Sequence, residues 1–105
     1  MTIKYGAHAV ANIIWRSQQE LGGQMPPPGI TQWAATARFI EDDEHDLFSV
    51  VLYHSEGQAK QEVNLHFFAP GLVLPRLRKG ARLYITDGPK IIADTVILAV
   101  TDNAT

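Results

Sequence analysis

Between Arg78 and Ile97 the chain reads Arg78-Lys79-Gly80-Ala81-Arg82-Leu83-Tyr84-Ile85-Thr86-Asp87-Gly88-Pro89-Lys90-Ile91-Ile92-Ala93-Asp94-Thr95-Val96-Ile97, two β-forming runs joined by a tight Asp87-Gly88 turn. Asp and Gly tolerate the positive φ that favoured hairpin turns demand, and Leu83, Ile85, Ile91 and Ile92 flank the turn as half-buried strand residues. A hairpin of this kind commits the surrounding chain to an antiparallel sheet.

The segments before it carry the same period of two. Ile30–Ile40 alternates Trp33, Ala35, Ala37 and Phe39 against Gln32, Thr36 and Arg38, and ends in the polar turn Glu41–Asp46. Leu47–Tyr53 sets Phe48, Val50 and Leu52 on one face, and His54-Ser55-Glu56-Gly57 reads as the next turn. Gln61–Phe68 places Val63, Leu65 and Phe67 opposite Glu62, Asn64 and His66. After Ala69-Pro70-Gly71 come a short apolar piece, Leu72-Val73-Leu74, then the Ala81–Thr86 strand and a long strand from Lys90 to about Val100. Six short strands with no βαβ alternation predict a mainly β fold, a small six-stranded antiparallel β-barrel. Closure removes the two hydrogen-bonding edges that an open sheet would expose.

Ahead of the barrel, Val10, Ile13, Ile14 and Leu21 fall near helical spacing, and Gly22-Gly23 offers a stop, which predicts a short amphipathic helix over His8–Leu21. The β-branched pair Ile13-Ile14 with Trp15 favours the rival, a strand over Ala9–Trp15. In Gln24-Met25-Pro26-Pro27-Pro28-Gly29, three prolines bias the backbone toward an extended polyproline conformation, a spacer or a ligand for an aromatic groove. The expected organisation is an N-terminal helix and Pro-rich arm over 1–29, a β-barrel domain over 30–101 and a tail over 102–105, together one domain.

Composition narrows the function classes. Hydrophobic residues make up 46% of the 105 positions and charged residues 19%, a balance typical of chains that fold. A formal net charge of −2 supplies no overall field for collecting nucleic acid, so any such role is local. Zero Cys excludes disulfides, thiolate metal sites and Cys nucleophiles, and leaves the redox compartment open. Met1–Gly6 carries no apolar run of signal-peptide length, and nothing approaches the ~20 apolar residues of a membrane span, so a soluble, cytoplasmic protein without a membrane partner is expected.

Arg76, Arg78, Lys79 and Arg82 bring four of the nine basic residues within seven positions. They are the leading binding candidates, for an acidic protein partner or for RNA phosphates, with Tyr84 as the adjoining aromatic. The acidic run Glu41–Asp46 lacks the Gly and spacing of a calcium loop and reads as a solvated turn. Opposite signs at the two patches predict a dipole that orients a partner or promotes head-to-tail packing of copies into a homo-oligomer. His8, His45, His54 and His66 show no i, i+4 pair, and no metal or cofactor is expected. No Gly-x-Ser-x-Gly elbow occurs. His54 or His66 with a carboxylate is the remaining enzymatic arrangement, but no nucleophile–base–orienter set can be assembled, so the chain is expected to be non-catalytic. Strict alternation puts Asp94 on a face with Ile92, Val96 and Leu98, which calls for a bulge, an edge position or a partner such as Arg38 or Arg82. Trp33 is assigned to the core, and Trp15, taken to lie outside the barrel, to contact with a copy or a partner.

Thr31–Phe39, and above all Lys79–Ile85 followed by Gly88–Ile97, resembles the C-terminal β-barrel, the third domain, of elongation factor Tu. The family pattern is a Gly, an aromatic-containing strand ending in Ile-Arg, a Gly-rich turn with a basic residue and a last strand leaving the turn. This chain departs from it at Thr86, which stands for the Arg, and at Ala93 and Thr95, which stand for two glycines. The likeness covers roughly residues 30 to 100 and implies a stand-alone translation-factor-like barrel that offers surfaces to proteins and RNA stems. It does not extend to GTP hydrolysis, because no Gly-x-x-x-x-Gly-Lys-Ser/Thr loop is present.

Overall fold

The computed structural model describes residues 6–16, 32–43, 45–55, 57–59 and 61–101. Its strands are β1 (Ala9–Trp15), β2 (Gln32–Phe39), β3 (Phe48–Tyr53), β4 (Glu62–Phe67), β5 (Arg82–Asp87) and β6 (Lys90–Val100). They form a closed antiparallel ring in the order β1-β4-β3-β2-β5-β6, sealed where β1 pairs with β6. The mainly β, six-stranded barrel is thus the observed fold. No helix among the described residues is long and apolar enough to cross a membrane.

Side-chain size explains how so narrow a ring is filled. Inward alanines stand opposite large neighbours: Ala9 faces Leu65, Ala11 faces Ile97, and Ala37 and Ala93 both face Ile85. All seven residues are buried, as small barrels require when small and large side chains share a tapering interior. Phe39, Phe48 and Phe67 pack as tilted and edge-on rings 5.6–5.7 Å apart near one end.

That end is closed by the β4–β5 connection, which passes across β3 and β2. It contains a one-turn helix, α1 (Pro70–Val73), and a 3-10 turn (Leu74–Arg76). Both begin with prolines in the first turn, where a missing N–H costs no hydrogen bond. Val73 and Leu77 drop into the core from this segment.

Three expectations need correction. The segment expected as a helix over His8–Leu21 is strand β1 across Ala9–Trp15, the rival reading. Its Ala9, Ala11 and Ile13 are buried at period two, and only a strand there supplies partners to β4 and β6 at once. The barrel therefore starts well before residue 30; the rest of that helix, the Pro-rich arm and the 102–105 tail lie outside the described residues. Leu72-Val73-Leu74, counted as a strand, is helical, because Pro70 and Pro75 favour the first turn of a helix. Among the described residues the strands still number six because β1 takes its place.

The tight turn also shifts by one residue. Asp87 pairs with Lys90, so the central pair is Gly88-Pro89, and the positive φ of 62° falls on Gly88. Pro89 cannot take positive φ, which makes this the hairpin type that places glycine first.

Strand β6 holds two single-residue insertions. Against β5, Ile85 faces Ala93 and Thr86 faces Ile91, leaving Ile92 without an opposite; against β1, Ala11 faces Ile97 and Val10 faces Ala99, leaving Leu98 without one. Each insertion flips the alternation. Ile92 points inward, Ala93, Thr95 and Ile97 continue the core, and Val100 returns to it after the second insertion. The expected bulge is present, and it leaves Asp94, Val96 and Leu98 on the outer face.

Candidate functional site

A groove of about 310 Å³ lies at the α1 end of the barrel, lined among the described residues by Phe39, Ile40, Glu41, Arg76 and the run Arg78–Arg82. Sheet register makes it. β2 ends at Phe39 opposite Leu83, and the Ile40 N–H donates to the Arg82 carbonyl at 3.2 Å, so the end of β2 and the start of β5 are neighbours. The acidic turn after β2 therefore borders the basic approach to β5.

Arg78 and Lys79 sit on a turn of their own. The Ala81 N–H donates to the Arg78 carbonyl at 2.9 Å, and Gly80 holds a φ of 90° at the third position. That is the position at which a type II turn requires glycine. The Gly80 N–H donates to the Ile97 carbonyl at 2.8 Å, and the Ile97 N–H to the Ala81 carbonyl at 2.8 Å, pinning the turn to β6. Its cationic side chains stand out from the surface. Arg78, Lys79 and Arg82 are all exposed, and none forms an ion pair among the described residues.

Arg76 behaves differently. Its guanidinium lies 4.0 Å from the centre of the Phe39 ring and donates to both carboxylate oxygens of Asp42, at 2.7 and 2.9 Å. A third, longer contact of 3.4 Å reaches Glu41. The Arg76 hydrogen bonds hold the Asp42 carboxyl below the usual carboxylate range, and in return raise the guanidinium's affinity for its proton. Arg38 braces the same turn by donating to the Asp42 carbonyl at 3.1 Å. Arg76 is thus spent on the acidic turn, and the two oppositely charged patches adjoin through it.

Tyr84 lies outside the groove. It is half-buried on the outer face of β5 with the Arg38 guanidinium 4.9 Å from its ring centre. Cross-strand pairing aligns Ile14, Asp94, Tyr84 and Arg38 in one row over β1, β6, β5 and β2. Asp94 is satisfied there by Arg16, whose Nε and Nη2 donate at 2.9 and 3.1 Å; its partner is neither Arg38 nor Arg82. Trp15, expected outside the barrel, follows Ile13 on the inward parity of β1 and packs partly buried against the core. Its neighbour Ile14 is the exposed one, at 58%. Trp33 packs against the core as expected.

Each histidine is engaged at its own place in the fold, with His8 and His66 together. His54 binds the Glu62 carbonyl at 2.8 Å, while the Glu62 carboxylate accepts the Ala59 N–H. His66 binds the Gly6 carbonyl at 2.7 Å and stacks on His8 with ring centres 4.6 Å apart. The His45 N–H donates to the Asp43 carboxylate at 2.9 Å, and this bond, with the His45 ring at 2.8 Å, keeps the Asp43 carboxyl below its usual range. Among the described residues no group of three His, Cys, Asp or Glu is placed to hold a metal ion.

The groove contributors Phe39, Ile40, Glu41, Gly80 and Ala81 were not singled out as site residues by the sequence. The available signal was topological: two oppositely charged connections attached to adjacent strands at the same barrel end. Comparison with known proteins adds no assignment, since no protein-family model matches the chain and no curated protein matches it.

Proposed function

We propose that this barrel is a non-catalytic, cytoplasmic binding module whose groove receives an acidic segment of a partner protein. The observation that carries the reading is the trio Arg78, Lys79 and Arg82, exposed and without ion pairs among the described residues, around a mainly polar concavity with Ile40 and Ala81 as its apolar contributors. A short acidic peptide matches that concentration of positive charge around a small concavity. RNA fits it less well. A strand of nucleotides needs a longer cationic track and stacking faces, whereas here Glu41, Asp42 and Asp43 border the cations and Tyr84 is half-buried beneath Arg38. The likeness of Thr31–Phe39 and, above all, of residues 79–97 to the elongation factor Tu barrel belongs to this proposal and rests on the amino-acid sequence alone.

The test is fluorescence anisotropy with a labelled hexaglutamate peptide and an oligouridine of matched charge. The peptide is expected to bind more tightly, and Arg78→Ala with Lys79→Ala to weaken it about tenfold. Tighter binding of the oligouridine, or peptide binding indifferent to the double substitution, overturns the reading.

A further inference from the structure

Glu41 and Asp42 share one guanidinium on unequal terms. Asp42 takes two short bonds of 2.7 and 2.9 Å with its side chain only 17% exposed; Glu41 takes one contact of 3.4 Å with its side chain 65% exposed. Arg76 is held against following Glu41 by its seat on the Phe39 ring and its two bonds to Asp42. Of the two acids, only Glu41 lines the groove.

We propose that Glu41 is the groove's resident anion: an incoming carboxylate displaces it from Arg76 and completes its set of contacts with Arg78, Lys79 and Arg82, while Asp42 keeps the guanidinium in place. This rests on the reading of the groove as a site for acidic segments and adds its regulation. The exchange is inexpensive because a solvent-exposed ion pair at the long end of contact distance contributes little. It also gives selectivity. A lone carboxylate merely replaces the one already there, whereas a ligand with several carboxylates both replaces Glu41 and engages cations that Glu41 leaves without an ion-pair partner. The site is therefore self-shielded against single anions and answers to clustered ones.

Three proteins decide the matter, titrated with the same hexaglutamate probe: the native chain, Glu41→Gln and Asp46→Asn. Both substitutions remove one negative charge from the same turn, but Asp46 makes no ion pair with Arg76. Glu41→Gln is expected to tighten binding about threefold, with Asp46→Asn producing less than half of that gain. Binding by Glu41→Gln where the native chain binds undetectably supports the proposal equally. If the native chain binds and both substitutions act alike, or Glu41→Gln fails to tighten, displacement is refuted and the groove reading survives. Absence of binding to all three overturns both.

Discussion

The Nδ1 atom of His8 accepts the backbone N–H of Phe67 at 2.9 Å, across the seam where the start of β1 meets β4. That bond requires the neutral imidazole with its proton on Nε2. His8 is only 6% exposed, and His66 stacks on it. Burial, then the neighbouring His66 charge, lower the His8 pKa from its ordinary 6.5.

Folded His8 consequently holds a proton less readily than unfolded His8. Stability contributed by the neutral ring is present above the ordinary value, falls as pH drops below it and is fully lost beneath the lowered folded value. Urea midpoints between about pH 7.5 and pH 5.5 are expected to decline in the native chain and to decline less in His8→Gln, which keeps an acceptor but does not titrate. His8→Ala orphans the buried Phe67 N–H and is expected to cost about 1–3 kcal/mol at neutral pH.

The insertion at Ile92 makes two aliphatic residues of like parity unequal. Ile92 is 2% exposed and Val96 36%. Ile92→Ala is expected to cost about 2–5 kcal/mol and Val96→Ala less than about 1 kcal/mol by chemical denaturation. Equal costs would mean that the strand does not bulge.

Arg16 and Asp94 form a two-point ion pair with side chains 33% and 39% exposed. Geometry argues for strength and solvent screening against it, so a double-mutant cycle over Arg16→Ala and Asp94→Ala should yield a coupling of about 0.5–1 kcal/mol. Raising salt should shrink it.

Gly88 has open space around the position of a Cβ, but its φ is 62°. Gly88→Ala should therefore cost about 1 kcal/mol through backbone strain alone, and Gly88→Asn less, because Asn tolerates that region. Thermal unfolding of the two variants separates backbone strain from crowding.

Much of the ring was legible because its signals are local. Trp33 to Phe39, Val50 and Leu52, and Val63 to Phe67 lie in strands where their period of two predicts, with Val51 and Asn64 of the opposite parity buried as well. β1 was harder to read. Val10, Ile13 and Ile14 satisfy a helical period by accident of the outward Ile14, and only the need of β4 and β6 for a partner decides for a strand. Asp94 gave a correct warning of a bulge, while its partner Arg16 is 78 residues away and could not be paired by local pattern. The same holds for the groove: the basic run was visible, but that Arg76 would be consumed by Asp42 follows from strand order.

Strand β6 hydrogen-bonds to β5 on one side and to β1 on the other, so the cylinder stays open until it is in place. A ribosome delivers that keystone after the five other strands of the described ring. Without β6 the other five strands of the ring can form only an open sheet with two unpaired edges, so protection against edge-to-edge polymerisation comes with that strand.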